Sequence, residues 1–152
     1  QSPWMLQCQA GDEHTIPISH GEGRFVAPPE VIAGLIAKGQ VGTQYVGADG
    51  RPTMDILANP NGSMEAIEGI FSPDGRVFGK MGHLERRGPF VGVNIPGNKH
   101  MPLFEGGAEY FKYRKGTART GRSPSLSGAF QCFYFIYGIL TKNLQFSPRL
   151  LI

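Results

Sequence analysis

The stretch from residue 66 to residue 81 constrains the fold of this chain most. Two β-prone arms, Ala66-Ile67-Glu68-Gly69-Ile70-Phe71 and Arg76-Val77-Phe78-Gly79-Lys80-Met81, flank Ser72-Pro73-Asp74-Gly75. An Asp-Gly pair between two such runs predicts a tight hairpin with antiparallel arms. The second arm runs on into Gly82-His83-Leu84-Glu85-Arg86-Arg87. In extended chain, residues i and i+2 project to the same side. A strand continued to its end therefore brings the His83 imidazole to the Glu85 carboxylate, which can fix the tautomer and orientation of the ring. That is two thirds of a nucleophilic triad. Taken alone, the same residues also fit a solvated salt-bridge cluster in a His-x-Glu-Arg-Arg turn.

The rest of the chain is punctuated as heavily as the hairpin. Its 22 glycines and 12 prolines among 152 residues predict short strands and many loops rather than long helices. Residues 13 to 19 alternate enough for a strand, with Pro17 placing it at an edge or a terminus. Pro28-Pro29-Glu30 opening the run 31 to 37, with Lys38 and Gly39 behind it, predicts a short helix with a buried stripe of Ile32, Leu35 and Ile36. Residues 40 to 46 and 52 to 57 flank Asp49-Gly50 as a further hairpin, and Asn59-Pro60-Asn61-Gly62-Ser63 is a double turn. A last helix is expected over residues 103 to 112, with Phe104, Ala108 and Phe111 toward a core.

Four stretches, taken together, carry a family resemblance. They are Ile18-Ser19-His20-Gly21-Glu22-Gly23-Arg24-Phe25, Asn59-Pro60-Asn61-Gly62-Ser63, Ile67-Glu68-Gly69-Ile70-Phe71-Ser72-Pro73-Asp74-Gly75-Arg76-Val77 and Gly82-His83-Leu84-Glu85-Arg86. In order and approximate spacing they resemble the glutaminase domain of the phosphoribosylformylglycinamidine synthases, over roughly residues 1 to 112. The resemblance implies an α/β, class I glutamine amidotransferase-like (flavodoxin-like) domain, its mixed sheet carrying hairpins. It also implies a Cys-His-Glu triad that releases ammonia from glutamine, with His83 and Glu85 as second and third members. Two glycines bracketing Glu22 let backbone approach a ligand; by resemblance, His20, Gly21 and Glu22 contact the substrate, whereas a tight turn between strands is the plainer alternative.

The family's nucleophile lies in a Gly-x-Cys-x-Gly-like segment upstream of the Ser-His-Gly-Glu-Gly-Arg-Phe motif, and no such segment occurs in this sequence. The expectation is therefore the C-terminal part of a glutaminase domain, incomplete and lacking its nucleophile. Leu6-Gln7-Cys8-Gln9 offers neither a tight turn of small residues nor a following helix to lower a thiol pKa, so Cys8 is expected to be inert. The resemblance implies glutamine, the upstream half of the domain and synthetase domains as partners. It implies no cofactor in this chain, with ATP and magnesium belonging to the parent synthetase. The rival expectations are a glutamine-binding or synthetase-docking module without catalysis, and a fragment without function.

Charge divides the chain in two. Residues 1 to 112 hold nine Lys or Arg against twelve Asp or Glu, a balance of −3, while residues 113 to 152 hold six Lys or Arg and no acid, a balance of +6. The basic character thus belongs to the tail, and a nucleic-acid surface on the body is not expected. Two cysteines, outside any Cys-x-x-Cys pair, argue against a zinc site and a disulfide framework. They fit a reducing cytoplasm. The longest apolar run, residues 129 to 140, falls short of the ~20 residues needed to span a bilayer, so no membrane partner is expected. Residues 113 to 152 do not resemble the family and are expected to be a linker, disordered or foreign to the fold.

Overall fold

The structure, a computed structural model, describes residues 2–19, 21–117, 145–146 and 150–151. Strands β1 (Glu13–His14), β2 (Pro17–Ile18), β3 (Val41–Tyr45), β4 (Ile67–Phe71), β5 (Phe78–Lys80), β6 (Gln145–Phe146) and β7 (Leu150–Leu151) alternate with helices α1 (Pro29–Ala37) and α2 (Leu103–Thr117). Five strands form one sheet in the order β1-β7-β3-β4-β5, and β2 pairs with β6. All the pairings among the described residues are antiparallel. The expected hairpin is present, with Ile70 opposite Gly79 and Phe71 opposite Phe78. The parallel pairs of a mixed sheet are not among the described residues.

The expected strand over residues 13 to 19 breaks in two because Thr15 donates its N–H to the Asn98 carbonyl at 2.6 Å instead of to a neighbouring strand. The hairpin expected around Asp49-Gly50 shrinks to a turn and a single bridge between Val46 and Pro52. Its second arm does not extend, because β4 takes one edge of β3 and β7 the other, and Ile56 and Leu57 are left exposed. In α1 only Ile32 is buried, while Ile36 lies on the exposed face. Gly39 ends that helix at φ +63°, a left-handed conformation that glycine adopts without penalty.

The core gathers Met5, Ile16, Tyr45, Leu84, Met101 and Leu103 with Ala66, and Trp4, Phe71 and Phe78 pack on it. Helix α2 enters this core by a face different from the one the spacing predicts. Phe104, Ala108 and Phe111 are exposed, whereas Leu103, Gly106 and Gly107 are buried. The reason is close contact with the N-terminal turn Pro3–Met5. A Cβ on Gly106 would lie 2.8 Å from the Trp4 carbonyl oxygen, and one on Gly107 2.9 Å from the Trp4 ring. The helix continues past the expected boundary at residue 112 to Thr117. In the tail, the pairs at 145–146 and 150–151 join strands, and the aromatic run of residues 130 to 137 lies outside the described residues.

His14 is buried in β1, and neither ring nitrogen has a hydrogen-bond partner among the described residues. Burial, reinforced by the charge of Lys80, outweighs the nearby Asp12 and holds its pKa below the usual histidine value. The unfolded chain then binds a proton that the folded chain refuses, so this contribution is complete above the unfolded pKa of about 6.5 and is lost as pH falls below it. The melting temperature should fall between about pH 7.5 and 5.5, and His14→Leu should flatten that dependence. An unchanged slope in the variant would show that other groups cause it.

Candidate functional site

The turn leaving β5 carries the pair read from the sequence. His83 Nδ1 lies 2.6 Å from Glu85 Oε1. The pairing forms on a turn and not on a continued strand, because β5 stops at Lys80. Beyond that point the Glu68 carboxylate accepts from the N–H groups of Met81 (3.0 Å) and Gly82, and His83 donates its own N–H to the Pro17 carbonyl at 2.9 Å. Leu84, between the two site residues, is buried in the core. It anchors the turn through packing.

Burial alone would raise the pKa of Glu85. The hydrogen bond from His83, a bond to its own backbone and the charges of His83 and Arg86 outweigh burial and hold it below the ordinary carboxylate value. An ionised Glu85 fixes the proton of a neutral His83 on Nδ1 and leaves Nε2 for proton transfer. Beside the ring is a cavity of about 570 Å³, lined by His83, Arg86, Arg87, Lys99 and His100 among others. Arg87 donates to His100 and, at 3.2 Å, to Glu105 at the start of α2.

The other site candidates lie on a separate loop. His20 is outside the described residues. Gly21, at φ +50°, and Glu22 are exposed, and neither lines the cavity at His83. Four side-chain hydrogen bonds tie this loop to the rest of the chain. Arg86 donates to the Ser19 hydroxyl. Asn61 Nδ2 donates to the carbonyls of Gly21 (2.5 Å) and Gly23 (2.8 Å). Asn61 itself is held by a turn in which the buried Asn59 side chain bonds both the N–H and the carbonyl of Ser63, at 2.9 and 2.8 Å. Ser63 Oγ then accepts from Phe25 N–H at 3.0 Å. The Asn-Pro-Asn-Gly-Ser stretch was visible as a turn in the sequence; its grip on a loop some forty residues upstream is a tertiary fact.

Cys8 lines a different cavity, together with Met5, Lys38, Gln40 and Phe71. Burial, then Asp12 and Glu105, push its thiol pKa up, so it is a poor nucleophile. No cysteine lines the cavity at His83, and Cys132 lies outside the described residues. The described residues include no group of three or more His, Cys, Asp or Glu side chains that could hold a metal ion, and no helix long and apolar enough to cross a membrane.

Asn61→Ala should loosen the loop at Gly21 and Gly23, whose carbonyls it holds. The two lost bonds should cost about 1 kcal/mol of stability, and amide exchange should quicken at Phe25, whose N–H closes the loop on Ser63, while that of β4 stays unchanged. Unaltered exchange in the loop would show that Asn61 does not hold it.

The glutamine amidotransferase domain model described as CobB/CobQ-like matches residues 1–111. Curated relatives are phosphoribosylformylglycinamidine synthase subunits PurQ. That of Thermomicrobium roseum is 45% identical over 86 residues, covering 57% of this chain and 36% of the relative. That of Chlorobium chlorochromatii is 47% identical over 76 residues, 50% of this chain and 32% of the relative. That of Gloeobacter violaceus is 38% identical over 104 residues, 68% of this chain and 42% of the relative. The chain thus spans well under half the length of these relatives. Across the matched residues lie both the His83–Glu85 pair and the loop that Asn61 holds, and the chain belongs to the CobB/CobQ-like glutamine amidotransferase family.

Proposed function

We propose that this chain supplies the His-Glu part of a glutaminase site, which releases ammonia from glutamine for phosphoribosylformylglycinamidine synthase. The observation that carries the reading is the hydrogen bond between His83 Nδ1 and Glu85, beside an open cavity and in a chain of this family. In the complete site a cysteine from the upstream half of the domain gives its thiol proton to His83 Nε2, and the thiolate attacks the glutamine carboxamide. The tetrahedral adduct expels ammonia as His83 Nε2 delivers a proton to the departing nitrogen. Water, deprotonated by the same nitrogen, then hydrolyses the thioester to glutamate and restores the thiolate. Glu85 stabilises the imidazolium whenever Nε2 carries the transferred proton and keeps the ring in one tautomer when it does not.

His20, Gly21 and Glu22 are assigned to the amino and carboxylate groups of glutamine, presented by the loop that Asn61 and Ser63 hold. The ammonia serves the ATP-dependent conversion of formylglycinamide ribonucleotide to its amidine. ATP and magnesium act in the synthetase portion. The placement of Cys8 in another cavity, with its pKa raised, favours a second reading for the chain by itself, that of a glutamine-binding module without turnover.

The chain alone should produce no glutamate above buffer background, and calorimetry with glutamine separates binding without turnover from no binding. Production that Cys8→Ala abolishes would overturn the assignment of Cys8. Combined with the upstream half of a related domain, the chain should regain activity. His83→Ala should then lower kcat by about 10²–10⁴-fold, the range of general acid-base contributions. Glu85→Gln should lower it less, because losing the group that orients a base costs less than losing the base. Equal activity of the wild type and His83→Ala in that assay would end the triad assignment.

A further inference from the structure

Glu68 is an acid with no assigned role, and its surroundings are unusual. It lies on β4 with its side chain fully buried, and Lys80 on β5 approaches within 2.9 Å. Four donors converge on the carboxylate. Oε2 accepts from the Thr43 hydroxyl on β3. Oε1 accepts from Lys80 Nζ and from the main-chain N–H groups of Met81 and Gly82. Lys80 Nζ also donates to the Gly82 carbonyl at 3.1 Å, so one ion pair holds both the N–H and the carbonyl of Gly82.

The placement has a direct bearing on His83. Three consecutive amides ahead of the imidazole are anchored: Met81 and Gly82 on Glu68, and His83 on the Pro17 carbonyl. Gly82 has little freedom to move, since an added Cβ would lie 3.0 Å from both Glu68 Oε1 and Lys80 Nζ and 3.2 Å from Ile16. Strand β5 ends where the carboxylate begins to accept these N–H groups. The chain then turns toward the point where Nδ1 meets Glu85.

We infer that Glu68 is a positioning residue for His83: its carboxylate, counter-charged by Lys80, fixes the main chain at Met81 and Gly82 so that the imidazole meets Glu85. Glu68 touches neither His83 nor Glu85 and acts through backbone. A merely structural ion pair joining two strands would differ in one respect. Apolar side chains of similar volume can replace a buried ion pair without loss of stability, but they offer no acceptor to the Gly82 amide and leave Met81 N–H only the Glu68 main-chain carbonyl, at 3.2 Å. The catalytic meaning of this inference rests on the glutaminase reading; the geometry does not.

The test is the tautomer of His83 in the full chain, read by long-range ¹H–¹⁵N correlation at about pH 8, where imidazoles are neutral. Wild type should hold the proton on Nδ1, with the His100 ring as an internal reference. The variants are Glu68→Leu, which strands the Lys80 ammonium, and Glu68→Leu/Lys80→Met, which removes the pair together. The Nδ1–H fraction of His83 should fall about twofold or more in the double variant even when its melting temperature equals that of wild type. A stable double variant that keeps the wild-type tautomer would overturn the inference, and it decides the matter even where the single variant fails to fold. Because the measurement involves no glutamine, its outcome is independent of the activity assay that tests the glutaminase reading.

Discussion

A carboxylate placed inside a sheet must be surrounded by donors, and the fold of this chain is arranged around meeting that demand at Glu68. Moving such an ion out of water costs several kcal/mol even after relaxation. The compensation comes from three places at once: Thr43 on β3, Lys80 on β5, and the two amides that follow β5. One donor comes from β3 and the other three from the end of β5 and the turn that follows it. Satisfying one side chain therefore fixes the relation of β3, β4 and β5 and decides where β5 stops.

From this anchor the site is assembled by contacts of long sequence separation. The His83 amide is tied to Pro17, and Arg86 to Ser19, so the turn after β5 is laced to the segment around β2. Asn61 and Ser63 reach back to Gly21, Gly23 and Phe25. On the other side, Arg87 and His100 gather on Glu105 and connect the turn to the start of α2. The His83–Glu85 pair thus stands where β2, β5, the Asn61 turn and α2 are linked. Leu84 packs into the core beneath it and keeps the two polar side chains on the outer face.

The sequence by itself determined the local features. It specified the hairpin of β4 and β5 around Asp74-Gly75. It specified α1, whose proline and glycine mark both ends, and the adjacency of His83 and Glu85, which a spacing of two residues brings together on a turn as readily as on a strand. The order of motifs also carried the family. Tertiary structure alone decided the rest. The buried face of α2 moved from Phe104, Ala108 and Phe111 to Leu103, Gly106 and Gly107, because the approach of Trp4 favours glycines over large apolar side chains and periodicity cannot see a partner. The hairpin at Asp49-Gly50 gave way because β4 and β7 took the two edges of β3. Nothing in the sequence links Glu68 with Lys80, twelve residues apart on neighbouring strands. Only the pairing of β4 with β5 brings the Lys80 ammonium within 2.9 Å of the carboxylate, and with it the amides that lead to His83.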